Sequence, residues 1–313
     1  IFISGLRDNI VIKNGHIEGW DDDGVNGDNA EQSRFENLKL KDNGGSGLII
    51  NFDGLIINCQ AISNGVDGLK GNDGTIIVDC TAAQNGENGI EMENGGIVIR
   101  CTSFGNKTDG FDIRAGSRIE DCTAYDNEVF GFDIASGGQV ISCNAYNNGG
   151  NGFDIASSCL LLNSKASSNG FCISDTNCSR QPSSTDASAL GSYGNGVRTF
   201  ANSQIINCTF TNNARVGIRV SSTDTHVSGN LCVNNRNVGI YTTSSGNLFL
   251  NNICHNNGTA PSPDFLDTDG TTVVSGNYVI DPDSAFGPIV NVSGVGDISG
   301  TTNAKHPFAN FEY

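Results

Sequence analysis

The sequence has few residues that favour α-helices and many that favour turns: it contains 1 Met, 1 Trp and 6 Pro, but 41 Gly, in 313 residues. Because glycine destabilises helix interiors and is common in tight turns, this composition predicts many short strands and very little helix. The chain also lacks any run of about 18 apolar residues, which excludes a helix that spans a membrane. It opens at Ile1 without a Met or a signal-type segment, so we expect a processed or excerpted sequence.

Basic residues are also scarce: 17 Lys and Arg stand against 34 Asp and Glu, which gives a formal charge of −17. Such a charge repels a nucleic-acid backbone or an anionic membrane, so neither is an expected partner. It is compatible with cations or neutral glycans as ligands and does not choose between them. Sequons such as Asn177-Cys178-Ser179 and Asn291-Val292-Ser293 add to the expectation of an extracellular or cell-surface location.

A repeat of about twenty-one residues runs through most of the chain. It is clearest where IIVDCTAAQNGENG, IVIRCTSFGNKTDG and RIEDCTAYDNEVFG follow one another from Ile76, Ile97 and Arg118. Repeats of this kind bury a core only by stacking on their neighbours, so they predict a solenoid of about 8 to 10 or more coils. We expect one domain over residues 1–313, with an insertion at about 170–193 and a capping or docking tail at about 281–313.

Each repeat contains at least two short segments with the pattern of β-strands. In one, Val78, Cys80 and Ala82 alternate with polar or small residues, which predicts a strand with those three side chains buried. A second strand is predicted over Phe111–Ile113, where two apolar residues flank an outward acid. Stacking at about 4.8 Å per coil places equivalent positions directly above one another, so columns of side chains can be identified from the sequence.

The first column consists of asparagines at a turn. A buried amide there bonds both its own turn and the coil above, so a structural ladder is predicted. Its members are Asn64, Asn85, Asn106, Asn127, Asn148, Asn169, Asn213, Asn235 and Asn257.

The second column consists of inward cysteines. Side chains about 4.8 Å apart in a line suit reduced, buried thiols better than disulfides, and they cannot surround a tetrahedral metal ion. Cys172 and Cys178, in the insertion, are separately predicted to form a loop-closing disulfide in an oxidising compartment. The column contains Cys59, Cys80, Cys101, Cys122, Cys143 and Cys208.

The third column is acidic and outward. Glu91, Asp112, Asp133 and Asp154 repel one another unless a cation, a basic neighbour or a changed protonation state compensates. Arg198 and Arg219 continue the same column. The sequence allows three interpretations of this column. It is a solvated charged face, a Ca²⁺ site on the four acids, or a catalytic site that uses the acids and the arginines.

A fourth column is aromatic: Phe104, Tyr125 and Tyr146 lie at the outward end of a strand. Exposed stacked aromatics can bind sugar rings, whereas a purely stabilising ladder explains the same pattern. The sequence leaves both open.

These columns resemble the pectate-lyase-like superfamily of right-handed parallel β-helices, and the resemblance covers most of the chain. It implies an all-β fold and a polysaccharide as a partner, since the superfamily includes polysaccharide lyases, hydrolases, epimerases, viral tail proteins and bacterial surface proteins. Catalytic motifs of the superfamily are incomplete: Asp281-Pro282-Asp283 lacks the His of the alginate epimerase Asp-Pro-His-Asp motif.

Uniform coils and incomplete motifs favour a non-catalytic extracellular surface or scaffold protein. We expect it to assemble with further copies of itself, either end to end as a filament subunit or laterally. Contact with glycans is also expected. The alternative is a polysaccharide lyase or hydrolase that uses Asp133, Asp154, Arg198 and Arg219, with Ca²⁺ as the one cofactor considered. A third hypothesis is a phage-tail-type adhesin. The expected partner is therefore a further copy of the chain or a polysaccharide.

Overall fold

The computed structural model describes residues 1–170, 194–258, 276–281, 283–286, 289–291 and 310–312. The described residues form two compact units, residues 1–148 and residues 149–313, here called the first and second units. The prediction of one domain over the whole chain is not tested by this division and stays a prediction. The predicted Cys172–Cys178 disulfide, most of the insertion and most of the C-terminal tail lie outside the described residues.

The first unit is a solenoid of parallel strands, three to a coil, here called the first, second and third strands. Its described residues contain no helix, as the composition predicts. Pairing follows the repeat: Ile76 of one first strand lies opposite Ile97 of the next. The strands of this unit are Arg7–Asp8, Val11–Glu18, Val25–Gly27, Ala30–Glu31, Arg34–Lys41, Leu48–Ile50, Leu55–Ile57, Gln60–Ile62, Leu69–Gly71, Ile76–Val78, Thr81–Ala83, Ile90–Met92, Ile97–Ile99, Thr102–Phe104, Phe111–Ile113, Arg118–Glu120, Thr123–Tyr125, Phe132–Ile134, Gln139–Ile141 and Asn144–Tyr146.

The second unit has the same construction. Its coils lengthen to twenty-two residues where Gln204 pairs with His226. Its strands are Phe153–Ile155, Leu160–Leu162, Lys165–Ser167, Val197–Thr199, Gln204–Ile206, Thr209–Thr211, Val216–Val220, His226–Ser228, Leu231–Val233, Val238–Thr242, Leu248–Leu250, Ile253–His255, Gly276–Val279, Ala285–Phe286, Ile289–Asn291 and Asn310–Glu312. Eleven third strands occur within the described residues, in agreement with the predicted number of coils.

A bend separates the first and second strands of each regular coil. Asp79 has φ 56° there, in the left-handed region, and Arg100 occupies the equivalent position with φ 51°. The single alternating strand predicted across this segment is therefore wrong. Ile77 is fully buried and Val78 is half-buried, because the bend shifts the buried set by one residue.

The core consists of columns of identical or similar side chains. Ile56, Ile77 and Val98 fill it from the first strands, and Phe111 stacks on Phe132 from the third strands with ring centroids 4.7 Å apart. Each coil therefore buries its apolar side chains against the coils above and below it.

The predicted asparagine ladder is confirmed, and all nine members are buried. Asn85 is representative: its Nδ2 donates to Oδ1 of Asn106 at 3.0 Å and to the carbonyl of Ala61 at 3.3 Å, while its backbone N–H donates to the same Oδ1 at 3.0 Å. Asn43 and Asn277 extend the ladder, one in each unit. The ladder thus satisfies buried turn groups in every coil that carries it.

The predicted cysteine column is also confirmed as buried, and the nine described cysteines are all free thiols. Its sulfurs accept hydrogen bonds from the neighbouring coil, as the ladder amides do. The backbone N–H of Cys80 donates to Sγ of Cys101 at 3.4 Å. In the second unit asparagines take over this position: Cys208 N–H donates to Oδ1 of Asn230 at 2.9 Å, and Asn230 donates to Asn252 at 3.0 Å. The column is therefore a second hydrogen-bonding ladder as well as a stack of small apolar groups.

Candidate functional site

Most of the predicted site residues project from the outer surface of the third strands, here called the third-strand face. In the first unit Glu91, Asp112 and Asp133 lie in register on successive coils. Lys70 precedes Glu91 in the same column, and its Nζ lies 2.8 Å from Glu91 Oε1. Sequence reasoning missed Lys70, although its spacing from Glu91 is one repeat.

Asp67 is a second residue that the sequence reasoning missed. It is 3 % exposed and lies in a polar row beside the acidic column, where its Oδ1 accepts the backbone N–H of Asn88 at 3.0 Å. Burial, together with the charge of Glu91 and a hydrogen bond to it, raises the pKa of Asp67 to about 7. Burial also acts to raise the pKa of Glu91, but hydrogen bonds from Lys70 and Asp67 outweigh it and leave that pKa below its ordinary value. The two carboxyls therefore share a proton over part of the neutral range.

In the second unit the acid of this column is buried, contrary to the prediction that it points into solvent. Asp154 is 4 % exposed because Arg198 covers it with two parallel hydrogen bonds. Asn151 donates a third hydrogen bond to Asp154 at 3.3 Å. Burial raises the pKa of Asp154, and the opposing effect of Arg198 only partly offsets it.

Arg219 follows Arg198 in register and has no such carboxylate partner among the described residues. Its guanidinium lies over the ring of Tyr241 at 5.6 Å, and Arg198 lies over Phe200 at 5.2 Å. Within the part of the chain that the structure describes, Nη1 of Arg219 is buried and has no hydrogen-bond partner. Burial lowers the pKa of Arg219, and the nearby charges of Arg198 and Arg215 lower it further.

This region, here called the arginine site, is locally basic on an acidic chain. Arg198, Arg215 and Arg219 contribute three positive charges, and Asp154 compensates one of them. A guanidinium with an unused donor, held on an aromatic ring, is suited to a carboxylate or sulfate ligand. The predicted candidates Asp154, Arg198 and Arg219 therefore come together, whereas Asp133 belongs to the first unit.

Metal binding has a weaker geometric basis. Among the described residues, no three His, Cys, Asp or Glu side chains come together as a metal site. The repulsion that suggested Ca²⁺ is relieved in part by basic side chains, namely Lys70 at Glu91, Arg114 at Asp112 and Arg198 at Asp154. A Ca²⁺ site at Glu91, Asp112, Asp133 and Asp154 stays a prediction.

The aromatic column forms a continuous stack. Phe104 and Tyr125 have ring centroids 4.7 Å apart with an interplanar angle of 4°, and Tyr125 and Tyr146 are 5.0 Å apart at 2°. No sugar ring fits between rings at this spacing, so each inner face is covered by its neighbour. The geometry favours the stabilising explanation of the column, and glycan binding by Phe104, Tyr125 and Tyr146 stays a prediction.

The fold and the polar third-strand face together define a class: a parallel β-helix with charged side chains arranged along one sheet. The chain matches the family described as right handed beta helix region over residues 23–169 and 156–303. It belongs to this family, and the predicted right-handed parallel β-helix is thereby confirmed.

Three solved structures with a similar fold are of enzymes named for their action on polysaccharides. The A-module of the mannuronan C-5 epimerase AlgE4 of Azotobacter vinelandii is 14 % identical, with a TM-score of 0.56 over 74 % of this chain and 75 % of that chain. The periplasmic alginate epimerase AlgG is 14 % identical, with a TM-score of 0.53 over 72 % and 62 %. The catalytic unit of a GH87 α-1,3-glucanase from Streptomyces thermodiastaticus strain HF3-3 is 12 % identical, with a TM-score of 0.50 over 80 % and 56 %.

At these identities the likeness shows the fold alone. No match was found among curated protein sequences. Among the described residues, no helix has the length and hydropathy needed to cross a membrane.

Proposed function

We propose that this protein is an exported β-helix protein that binds an acidic polysaccharide at the arginine site of its second unit. The observation that carries the proposal is Arg219, a half-buried guanidinium held over Tyr241 that forms no ion pair among the described residues. A uronate carboxylate would supply two acceptor oxygens to this guanidinium, and Tyr241 beneath it would keep the planar group in place.

The role is non-catalytic binding, as part of a surface or scaffold protein. Asp154, the acid nearest to the arginines, is engaged by Arg198 and Asn151, so its carboxylate serves to hold Arg198 in position. Structural neighbours named as a mannuronan epimerase and an α-1,3-glucanase support a polysaccharide as the ligand class. The periplasmic location in the name of AlgG supports export. End-to-end assembly into a filament stays a prediction.

Isothermal titration calorimetry with polymannuronate, polygalacturonate and a neutral glucan tests the proposal. Wild type should bind a uronate polymer in preference to the neutral glucan, with an affinity that falls as salt rises. Arg219→Met should weaken binding about tenfold or more, because it removes the unpaired guanidinium. Arg100→Met, which removes an exposed arginine of the first unit, is the matched control and should bind as wild type does. Equal binding by Arg219→Met and wild type, or equal affinity for the neutral glucan, would contradict the proposal.

A second candidate function is a polysaccharide lyase or epimerase that uses Asp154, Arg198 and Arg219 of the second unit. A catalytic role of Asp133, in the first unit, stays a prediction. The observation that favours it is the lowered pKa of Arg219, which makes this guanidinium a better proton acceptor than an exposed arginine. Unsaturated product should then form from a uronate polymer and absorb in the ultraviolet, or the epimer composition of the polymer should change. The assays should be run with and without added Ca²⁺ on a broad panel of polymers. Absence of turnover on all of them would contradict this candidate function.

A further inference from the structure

The outer surface of the first strands in the first unit, here called the first-strand face, is apolar over three successive coils. Two side chains per coil point outward, on either side of a fully buried residue, and all six are half-buried aliphatics. The pairs lie in register on neighbouring coils. They are Leu55 and Ile57, Ile76 and Val78, and Ile97 and Ile99.

An arginine and a glutamate border this patch at each end. Arg34 continues the column of Leu55, and Glu36 continues the column of Ile57. At the other end, Arg118 and Glu120 continue the same two columns in the same order. Each pair is an ion pair within its own strand, at 2.9 Å and 2.8 Å. The two rows lie about 19 Å apart, at ~4.8 Å for each coil.

We propose that the first-strand face is the contact surface of a dimer with a second copy of this chain. The charge pattern favours a second copy as the partner, because the charges of this face are complementary to those of an identical face. When two copies meet about a twofold axis parallel to the solenoid axis of this unit, Arg34 faces Glu36 of the second copy and Arg118 faces Glu120. The aliphatic pairs then cover one another between these two charged rows.

The same pattern excludes the other face-to-face arrangement. A twofold axis perpendicular to the solenoid axis would place Arg34 against Arg118 and Glu36 against Glu120, and like charges at such a contact are strongly unfavourable. The dimer is therefore the parallel one. A patch of this size suits a weak association in the micromolar range rather than an obligate dimer. The proposal does not depend on polysaccharide binding, which is placed on the second unit.

Sedimentation equilibrium on the full chain between about 1 and 300 µM tests the proposal, since this range brackets a micromolar Kd. Wild type should pass from monomer to dimer across it. Ile76→Lys should leave the protein monomeric, because it places a charge in the middle of the apolar contact. Circular dichroism and the melting temperature establish that each variant is folded.

Charge reversals test the arrangement. Arg34→Glu should raise the Kd about tenfold, because two glutamates then face each other. Combining it with Glu36→Arg should restore the wild-type Kd. Arg114→Glu, an exposed position beside the third-strand face, is the control and should dimerise normally. A wild type that stays monomeric throughout, or an Arg34→Glu variant that associates more tightly, would overturn the proposal.

Discussion

Arg198 donates two parallel hydrogen bonds to Asp154, from Nε to Oδ1 at 3.0 Å and from Nη2 to Oδ2 at 2.6 Å. The carboxylate is 4 % exposed, so the contact is a buried, bidentate ion pair. Removal of one partner from such a pair leaves an uncompensated buried charge, which costs far more than the loss of an exposed pair. The pair therefore sets both the local stability and the position of the guanidinium next to Arg219.

We expect Arg198→Met to destabilise the protein by about 3 kcal/mol at neutral pH, because Asp154 would remain buried without its partner. The pKa of Asp154 is already raised by burial and would rise further in the variant. Both folded states keep Asp154 protonated up to its raised pKa in wild type, so the loss relative to wild type should grow as pH rises above that pKa and shrink in acid.

Denaturant unfolding at about pH 4.5 and about pH 7.5, both above the ordinary aspartate pKa of ~3.9, measures the effect. Arg100→Met removes the exposed pair with Asp79 and should cost much less than Arg198→Met at either pH. A loss in Arg198→Met no larger than in this control would contradict the buried-pair interpretation.

Asp67→Asn should stabilise the protein at about pH 8 and have little effect at about pH 4, on either side of the raised pKa of about 7. The pKa of this carboxyl is higher in the folded state than its value of ~3.9 in the unfolded state. The folded state therefore loses stability as pH rises between these two pKa values. Asn keeps the oxygen that accepts the N–H of Asn88 and cannot ionise.

Melting temperatures across this pH range provide the measurement. The gap between Asp67→Asn and wild type should open between about pH 4 and pH 7 and stay constant above. Asp121→Asn, at an exposed bend, is the control and should follow wild type. A gap that does not change with pH would show that Asp67 ionises normally.

Asn106→Ala should cost about 2 kcal/mol, because it leaves the buried N–H of Asn85 and the Nδ2 of Asn85 without their acceptor. Asn94→Ala removes an exposed amide bonded to Asp73 and should cost less than about 0.5 kcal/mol. Chemical denaturation compares the two. Similar losses would mean that the ladder amides are replaceable by water.

Cys208→Asn should be nearly neutral, whereas Cys208→Val should cost about 1 to 2 kcal/mol. The thiol accepts the N–H of Ser164 at 3.5 Å and lies 3.6 Å from the carbonyl of Leu161, and an amide can make the same two contacts. Asn230 already does so one coil later, where it donates to the carbonyl of Ile205 at 2.8 Å. Valine fills the volume but bonds neither group.

Thermal melts of the two variants test this order of stability. The reverse order, with Val the better tolerated, would mean that the column acts as an apolar stack alone. Burial raises the pKa of the Cys208 thiol to about 12, so the wild-type thiol should react with Ellman's reagent only after unfolding.

Much of the architecture follows from the twenty-one-residue period, because stacked coils place equal positions in one column. The nine ladder asparagines and the six cysteines of the column were predicted in this way. The bend at Asp79 was not, since a polar residue looks the same in an outward strand position and in a left-handed turn. Its effect on which strand residues are buried was missed for the same reason.

The site was less predictable because burial depends on neighbours that the repeat does not fix. Asp112 and Asp154 occupy the same Phe-Asp-Ile motif, yet Asp112 is half-buried and Asp154 is fully buried. The difference comes from Arg198, which lies 44 residues after Asp154 in sequence. Asp67 was missed because its row contains Ser46, Asn88, Asp109 and Phe130 at the equivalent positions, so no single residue type marks the column.

The regular coils of the first unit allow the length of such a protein to change in evolution by whole coils. Each carries its own bend, its own ladder amide and its own thiol at the same offsets, and each bonds only to the coil before and the coil after. An in-frame duplication of the DNA encoding one such coil would insert a further copy between two compatible neighbours. Gains and losses of whole coils are therefore single genetic steps between foldable proteins.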